Sequence, residues 1–319
     1  MQKLSILIYH RVLEAPDPLQ PGIVDRVIFE RQMWGVSRFF RVLPLLEAVN
    51  RLRDGTLPRR AVSVSFDDGY RDNVDIALPI LRRLGVHATF FIATGFLNGT
   101  CMWNDRVIEA VRRLNGVGLD LREFTGKRFE LPAELHARSS VLQAILRAIK
   151  YLPFAQREAG VSLIEGQAAS RATGLMMREA DVRALTQAGM GLGAHTVNHP
   201  ILSQLSVAEA RSEIVESRKT LESITGRGVR LFAYPNGKPG LDYVEDHVAI
   251  VRELGFDAAV STKWGSASIA SDRYQLPRFT PWDRSLPRYL VRLSLMRLRP
   301  PPISTLRAAF DTTDRNEHA

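Results

Sequence analysis

The sequence predicts an α/β protein, a distorted (β/α) barrel of about seven parallel strands with a helical insertion. Short runs rich in β-branched, aromatic and small residues alternate with longer segments of helical periodicity, which is the pattern of repeated β-α units. The chain has 319 residues, of which 45% are hydrophobic and 24% charged. This composition is typical of a folded globular protein with a substantial core.

Seven runs have the length and composition of buried strands. They cover residues 4–9, 61–66, 87–93, 190–195, 229–234, 257–262 and 274–279. Because helical segments separate these runs, we expect a parallel sheet whose strands all end at one edge. Seven such strands predict a barrel that is complete or lacks one strand.

The helices are recognised from their apolar spacing and their ends. Ser206 with Glu209 three residues later forms a capping box, and Gly226 ends that helix. Apolar residues between 74 and 84 predict a second helix, with a kink at Pro79. These helices would supply the outer layer of the barrel.

The β-α pattern is interrupted between about residues 96 and 178, where no clear strand is found. Helices are predicted near 107–114 and 139–151. An insertion of this length is usually a lid or a segment that shapes the substrate site. We therefore predict one barrel domain over residues 1–300, with a helical insertion at about 96–178 and a C-terminal tail over 301–319.

Charge and cysteine content limit the partners and the compartment. The net charge of +9 favours anionic partners, but no zinc-finger spacing or RRM signature is present, so we expect no nucleic acid. Cys101 is the single cysteine, which excludes an intrachain disulfide. No signal peptide or apolar run of about 18 residues is found, so a cytoplasmic protein is expected.

A basic, partly amphipathic stretch covers residues 284–299 near the C-terminus. Such a helix can lie on the anionic inner face of a membrane, which suits an enzyme acting on lipid-linked glycans. Packing of the helix against the barrel is the alternative. The sequence thus leaves peripheral membrane contact as one of two interpretations.

Two predicted strands end in residues that carry chemistry. Asp67, Asp68 and Gly69 follow one strand, and His195 and His199 follow another. Each motif alone has a plainer interpretation, a surface turn or a chance pair of histidines. Together, one carboxylate and two imidazoles form the ligand set of catalytic zinc sites, in which one position stays open for water. The spare carboxylate can then serve as general base.

These motifs resemble those of the polysaccharide deacetylase family, the carbohydrate esterases with a NodB-type domain. Residues 65–69 match its first motif, 195–199 its second, and 232–237 lie where its third is expected. The resemblance covers about residues 4–95 and 178–282. It implies a distorted β/α barrel and one divalent metal ion. Zinc is the expected ion, and cobalt or nickel are the alternatives.

The resemblance also implies roles for individual residues. Asp67 would be the base, and the backbone N–H of Asn236 would stabilise the oxyanion. The metal ligands would be Asp68, His195 and His199.

The sequence departs from the family pattern in two places. Ala233 stands where the third motif often carries an arginine that orients the base, and we assign that task to Arg278. The late Leu-x-His motif that supplies the general acid is missing. We assign the acid to His10, because a closed barrel brings the first and last strands together. A Tyr-His pair like Tyr9-His10 opens a subgroup that acts on poly-N-acetylglucosamine. The alternative is that His10 is a structural histidine, bonded to the loop that carries the metal ligands.

Aromatic side chains can form a platform on which a pyranose ring stacks. Together with Arg278, we assign Tyr234, Trp103 and Trp282 to substrate binding, with Trp264 as a further candidate; core packing is the alternative for each aromatic residue. The sequence therefore predicts a metal-dependent hydrolase that removes N-acetyl groups from an N-acetylhexosamine-containing glycan or lipid-linked saccharide. Two alternatives are an amidohydrolase for a small amide or imide, and a catalytically impaired glycan-binding module.

Overall fold

The computed structural model describes residues 2–99, 101–114, 118–169 and 172–296. The described residues form these strands: β1 Ser5–Tyr9, β2 Arg41–Val42, β3 Ala61–Phe66, β4 Ala88–Ile92, β5 Gly118–Leu121, β6 Lys127–Glu130, β7 Gly191–Ala194, β8 Leu231–Ala233, β9 Ala258–Trp264 and β10 Leu276–Arg278. They also form these α-helices: α1 Arg26–Phe39, α2 Leu45–Arg53, α3 Leu78–Arg83, α4 Trp103–Arg113, α5 Arg122–Thr125, α6 Arg138–Lys150, α7 Phe154–Ala168, α8 Glu179–Gln187, α9 Val207–Thr225, α10 Glu245–Glu253 and α11 Leu286–Met296. The predicted tail over 301–319 and residues 297–299 of the basic stretch lie outside the described residues.

Seven parallel strands form a nearly closed barrel in the order β1-β3-β4-β7-β8-β9-β10, and β2 pairs with β3 beside them. The last strand returns to the first: the Phe279 N–H donates to the Ile6 carbonyl at 2.7 Å, and the Ile8 N–H donates to the Phe279 carbonyl at 3.0 Å. The predicted barrel and its strand count are confirmed. Six of the seven predicted runs contain one of these strands, and β9 begins within the run 257–262 and ends two residues after it, at Trp264.

The core of the barrel is aromatic at its centre. Phe66 at the end of β3 stacks on Phe90 with ring centroids 4.8 Å apart and on Tyr9 at 5.5 Å. All residues of β1, β3 and β4 are buried, as expected for parallel strands covered on both faces. Burial on both faces explains why these strands are continuous apolar runs in the sequence.

The insertion differs from the prediction in containing a β-hairpin. Strands β5 and β6 pair antiparallel, although no strand was expected between 96 and 178. Each strand has four residues, and β6 is mostly exposed and charged, so neither produces a recognisable pattern. Helices α4, α6 and α7 pack around a separate apolar cluster that includes Val107, Ile145 and Ile164. The insertion thus has a small core of its own.

Helix α11 packs on α1 through one face and exposes the other. Tyr289, Leu293 and Met296 are buried in the main core, whereas Val291 and Leu295 are exposed. The described part of the basic stretch therefore packs against the barrel. Among the described residues, no helix is both long and apolar enough to cross a bilayer.

Candidate active site

The turn after β3 points two adjacent carboxylates into the protein. The Asp67 N–H donates to the Tyr9 carbonyl at 2.9 Å, which extends the β1–β3 pairing by one residue. Asp68 and Gly69 then have left-handed φ values of 79° and 91°. Such a φ is strained for aspartate, and a Cβ on Gly69 would lie 3.1 Å from Ile92 Cγ2. This sharp turn leaves both carboxylates buried.

The loop after β7 brings His195 and His199 together without forming a helical turn. Thr196 and His199 have left-handed φ values of 62° and 50°. The Glu213 carboxylate on α9 accepts hydrogen bonds from the N–H groups of Val197 and Asn198, both at 2.8 Å. The two histidines therefore lie in a loop whose backbone is fixed by hydrogen bonds to Glu213.

Asp68, His195 and His199 form one cluster, and one potential ligand atom from each lies within 4.8 Å of the others. The Oδ1 atom of Asp68 lies 3.4 Å from His195 Nε2 and 3.3 Å from His199 Nε2. His195 Nδ1 is 2.7 Å from the Ala233 carbonyl, which can only accept, so Nδ1 is the protonated nitrogen of the neutral ring and Nε2 is the nitrogen turned toward Asp68. Asp68 Oδ1 is buried without a hydrogen-bond partner. These donors suit a divalent cation.

The protonation states of the cluster also suit a cation. Burial lowers the pKa of His199 to about 4, so its imidazole is neutral at neutral pH. Burial would raise the pKa of Asp68, but the two neighbouring imidazoles, His195 first and then His199, hold it below its usual range. The cluster thus offers one carboxylate and a neutral imidazole.

Arg278 lies against Asp67 in the interior. Its Nη1 and Nη2 atoms donate to Oδ1 and Oδ2 of Asp67, both at 2.7 Å, and its Nε donates to the Ser261 carbonyl at 2.9 Å. Burial would raise the pKa of Asp67, but the charge of Arg278 lowers it below its usual range. Arg278 is only 1% exposed, so it can orient the base but does not face a substrate. Its assignment as a substrate contact is corrected accordingly.

Asn236 lies in the turn after β8, where its own φ is 59° and that of Gly237 is 73°. The Thr262 hydroxyl donates to the Asn236 carbonyl at 2.7 Å. A Cβ on Gly237 would lie 2.9 Å from the Thr262 nitrogen, so the chain approaches β9 too closely for a side chain at this position. The turn fixes the direction of the backbone N–H at 236, while the residue stays partly exposed.

His10 follows β1 and is exposed in a cavity of about 220 Å³ that Asp68 also lines. The Asn73 side chain donates to the His10 carbonyl at 2.8 Å, and Arg11 pairs with Asp72 at 2.8 Å. The loop that carries Asp68 therefore holds the backbone of His10 and leaves the imidazole at the cavity wall. His10 therefore lines the same cavity as Asp68, and its role as the acid stays a prediction.

The aromatic candidates fall into two groups. Tyr234 is fully buried and stacks on Tyr243 with centroids 3.8 Å apart, so its ring presents no face to a sugar and this assignment is corrected. Trp103, Trp264 and Trp282 are half-buried. Trp103 packs on the insertion core beneath Arg157, and Trp282 follows Pro281 of the cavity wall. Trp103 and Trp282 are therefore both adjacent in sequence to a residue of the cavity wall, since Asn104 also lines the cavity.

Sequence reasoning missed three residues that shape the site. Glu213 gave no signal, because an acid on an amphipathic helix is ordinary. Tyr70 and Asp105 both line the cavity. Tyr70 directly follows Gly69 of the first motif, and Asp105 lies two residues after Trp103 at the start of the insertion. Neither position in the sequence reveals that the two side chains meet.

A parallel barrel whose strands end in a carboxylate–histidine cluster beside a buried acid belongs to the hydrolytic (β/α)-barrel enzymes. A family model described as polysaccharide deacetylase matches residues 54–259. The chain belongs to this family and is a hydrolase of carbon–nitrogen bonds other than peptide bonds. Family membership supports deacetylation of a glycan, and the resemblance inferred from the sequence is confirmed.

The chain is also similar to individual proteins. YxkH of Bacillus subtilis strain 168, whose name describes it as a candidate polysaccharide deacetylase, is 23% identical over 86% of this chain and 70% of its own length. The deacetylase PplD of Streptococcus pyogenes, solved in complex with acetate, has a TM-score of 0.62 at 21% identity, covering 92% of this chain and 98% of that one. IcaB from Ammonifex degensii has a TM-score of 0.59 at 18% identity, covering 92% and 97%. These two structures share the fold of this chain.

Proposed function

We propose that this protein is a metal-dependent deacetylase acting on an N-acetylhexosamine-containing glycan or lipid-linked saccharide. Asp68, His195 and His199 would hold one divalent ion, with zinc first and cobalt or nickel as alternatives. The observation that carries the proposal is the unpartnered Oδ1 of Asp68, buried between two imidazole nitrogens and next to an acid held by Arg278.

The remaining residues divide the reaction between them. A bound divalent ion would polarise the acetamide carbonyl and make water more acidic. Asp67, fixed by Arg278, takes the proton of the attacking water, and the N–H at Asn236 stabilises the oxyanion as the tetrahedral carbon forms. His10 delivers a proton to the departing nitrogen as the carbon–nitrogen bond breaks. Acetate and an amino sugar are the products.

The domain and the location are part of the proposal. Residues 1–300 would act as one barrel domain with the insertion at about 96–178, in a cytoplasmic protein that contacts the inner face of the membrane. The exposed face of α11 supports that contact, since it carries Val291 and Leu295 beside the exposed Arg288. Sedimentation with anionic vesicles should fall on Arg288→Glu, and binding that is unchanged would argue against it.

The substrate class is tested by acetate release from N-acetylated chito-oligosaccharides, compared with a small formamide and a cyclic imide. The zinc-loaded full chain should release acetate from the sugars and leave the small amides largely intact. Asp67→Asn should abolish this release, because the base is lost. Asp120→Asn is the matched control, since Asp120 is an exposed acid of the insertion hairpin. Full activity in Asp67→Asn would refute the mechanism, and binding without turnover in the wild type would favour a glycan-binding module.

A further inference from the structure

A second carboxyl group, which the mechanism does not use, lines the cavity beside the metal cluster. Asp105 lies in the first turn of α4, at the beginning of the insertion, and is 1% exposed. The cavity of about 220 Å³ is lined by Asp105 and by Asp68 and His10. The barrel therefore supplies the reacting groups, and the insertion supplies an acid to the same space.

Both ends of the insertion are held against the loop that carries Asp68. The Tyr70 hydroxyl donates to the two carboxyl oxygens of Asp105 at 3.2 and 3.1 Å. At the other end, the Arg71 N–H donates to the Leu175 carbonyl at 2.8 Å and the Met177 N–H to the Gly69 carbonyl at 2.9 Å. These contacts fix the position of Asp105 relative to Asp68, because Asp68 lies only two residues before Tyr70.

Burial of Asp105 is costly and is only partly compensated. Burial raises the pKa of Asp105 to about 7, the charge of Arg11 opposes this shift, and the charge of Asp68 adds to it. The hydroxyl of Tyr70 supplies one proton, whereas two carboxyl oxygens have about four acceptor positions. A ligand hydroxyl entering the cavity would therefore find free acceptor positions on Asp105.

The size of the cavity limits what can enter it. Its volume of about 220 Å³ is below the roughly 300 Å³ at which pockets for drug-sized ligands begin, so it suits a single ring. The hydroxyl groups of a pyranose ring are donors that match a carboxylate. An N-acetylhexosamine unit with its acetamide at the metal cluster would bring such hydroxyls within the same cavity.

We propose that Asp105 determines specificity by accepting a hydrogen bond from a ring hydroxyl of the N-acetylhexosamine unit. This inference rests on the proposed function and adds to it a substrate contact supplied by the insertion. Asp105 would recognise the sugar ring, while the barrel residues act on its acetamide. Loss of the acceptor should weaken sugar binding and reduce the preference for a sugar over an acetyl compound without ring hydroxyls.

The test compares Asp105→Asn with Glu165→Gln as a matched control. Glu165 is buried on α7 and pairs with Arg106 of α4 at 2.7 Å, so its change removes a buried charge that contacts the same helix outside the cavity. Calorimetry measures binding of tri-N-acetylchitotriose, and acetate release is measured for the same sugar and for 4-nitrophenyl acetate. Asp105→Asn should weaken sugar binding about 10- to 100-fold. The change in acetate release should appear mainly as a higher KM for the sugar. The preference for the sugar over 4-nitrophenyl acetate should fall by a similar factor. Glu165→Gln should match the wild type.

The outcomes separate this inference from the proposed function. The inference is overturned if Asp105→Asn binds the sugar as tightly as the wild type does, or if its rate of acetate release falls equally for both substrates. In either case, acetate release from the sugar by the wild type still upholds the proposed function. If the wild type binds the sugar without releasing acetate, and Asp105→Asn loses that binding, the function fails and the inference stands. If the wild type neither binds the sugar nor releases acetate from it, both are overturned.

Discussion

Replacing Arg278 by glutamine tests how the buried base is held. The change removes two charge-assisted hydrogen bonds to Asp67, each 2.7 Å long, and a third bond to the Ser261 carbonyl. Removing one partner of a buried ion pair costs about 3–5 kcal/mol, because the other charge stays buried without compensation. For a protein of this size we expect the melting temperature to fall by roughly 10 °C.

The same change should alter the pH dependence of catalysis. Asp67 must be ionised to act as base, and Arg278 lowers its pKa in the folded protein. Without Arg278 the pKa rises, so the acid limb of the kcat/KM profile should move up by about one pH unit or more. Acetate release is measured between pH 4 and 9, with melting followed in parallel.

Arg138→Gln is the control for a general loss of stability. Arg138 is also buried, but it donates to the backbone carbonyls of Pro132 and Val111 within the insertion. It should lower the melting temperature and leave the acid limb in place. An acid limb in Arg278→Gln that coincides with that of the wild type would refute the role of Arg278.

Three further perturbations have signs set by the structure. His10→Gln should lower kcat by about 100-fold with an unchanged melting temperature, because His10 is exposed and is the proposed general acid; near-normal kcat would remove it from the reaction. The pKa of Asp105 is raised to about 7, so its contribution to stability is present below about pH 4 and lost as pH rises through 7. Asp105→Asn should therefore gain on the order of 2 kcal/mol over the wild type between pH 5 and 8 in urea unfolding, and a pH-independent difference would contradict this. Although burial opposes it, Arg112 and Gln20 lower the pKa of Asp17 to about 2, so its stabilisation is present above about pH 4 and lost toward pH 2. Asp17→Asn should cost on the order of 1 kcal/mol at pH 7 and little near pH 2, as urea unfolding at both pH values would show, and an equal cost at both would contradict this.

The barrel was predictable because its strands are buried on both faces. Continuous apolar runs such as β3 and β4 follow from that burial, and capping signals such as Ser206 with Glu209 mark the helices between them. The hairpin of the insertion was not predictable. Its strands are short, β6 is mostly charged, and both strands are stabilised by contacts with α5 and α6 that no local pattern reveals.

The site was predictable to the extent that its residues follow strands. Asp68 follows β3 and His195 follows β7, with β4 between these two strands. Because the strands are parallel, both residues lie at the carboxyl edge of the sheet. The pairing of Arg278 with Asp67 required closure of the barrel, which the strand count suggested. The contact between Tyr70 and Asp105 depends on how the insertion folds back, and spacing in the sequence carries no information on that.

Zinc titration of metal-depleted protein, followed by acetate release from an N-acetylated chito-oligosaccharide, tests the central claim most directly. Activity should rise linearly and reach a plateau at about one equivalent, since one carboxylate and two imidazoles make a single site. His195→Ala should stay inactive over the same range. Full acetate release by the metal-depleted protein, or by His195→Ala, would contradict the claim that Asp68, His195 and His199 form a catalytic metal site.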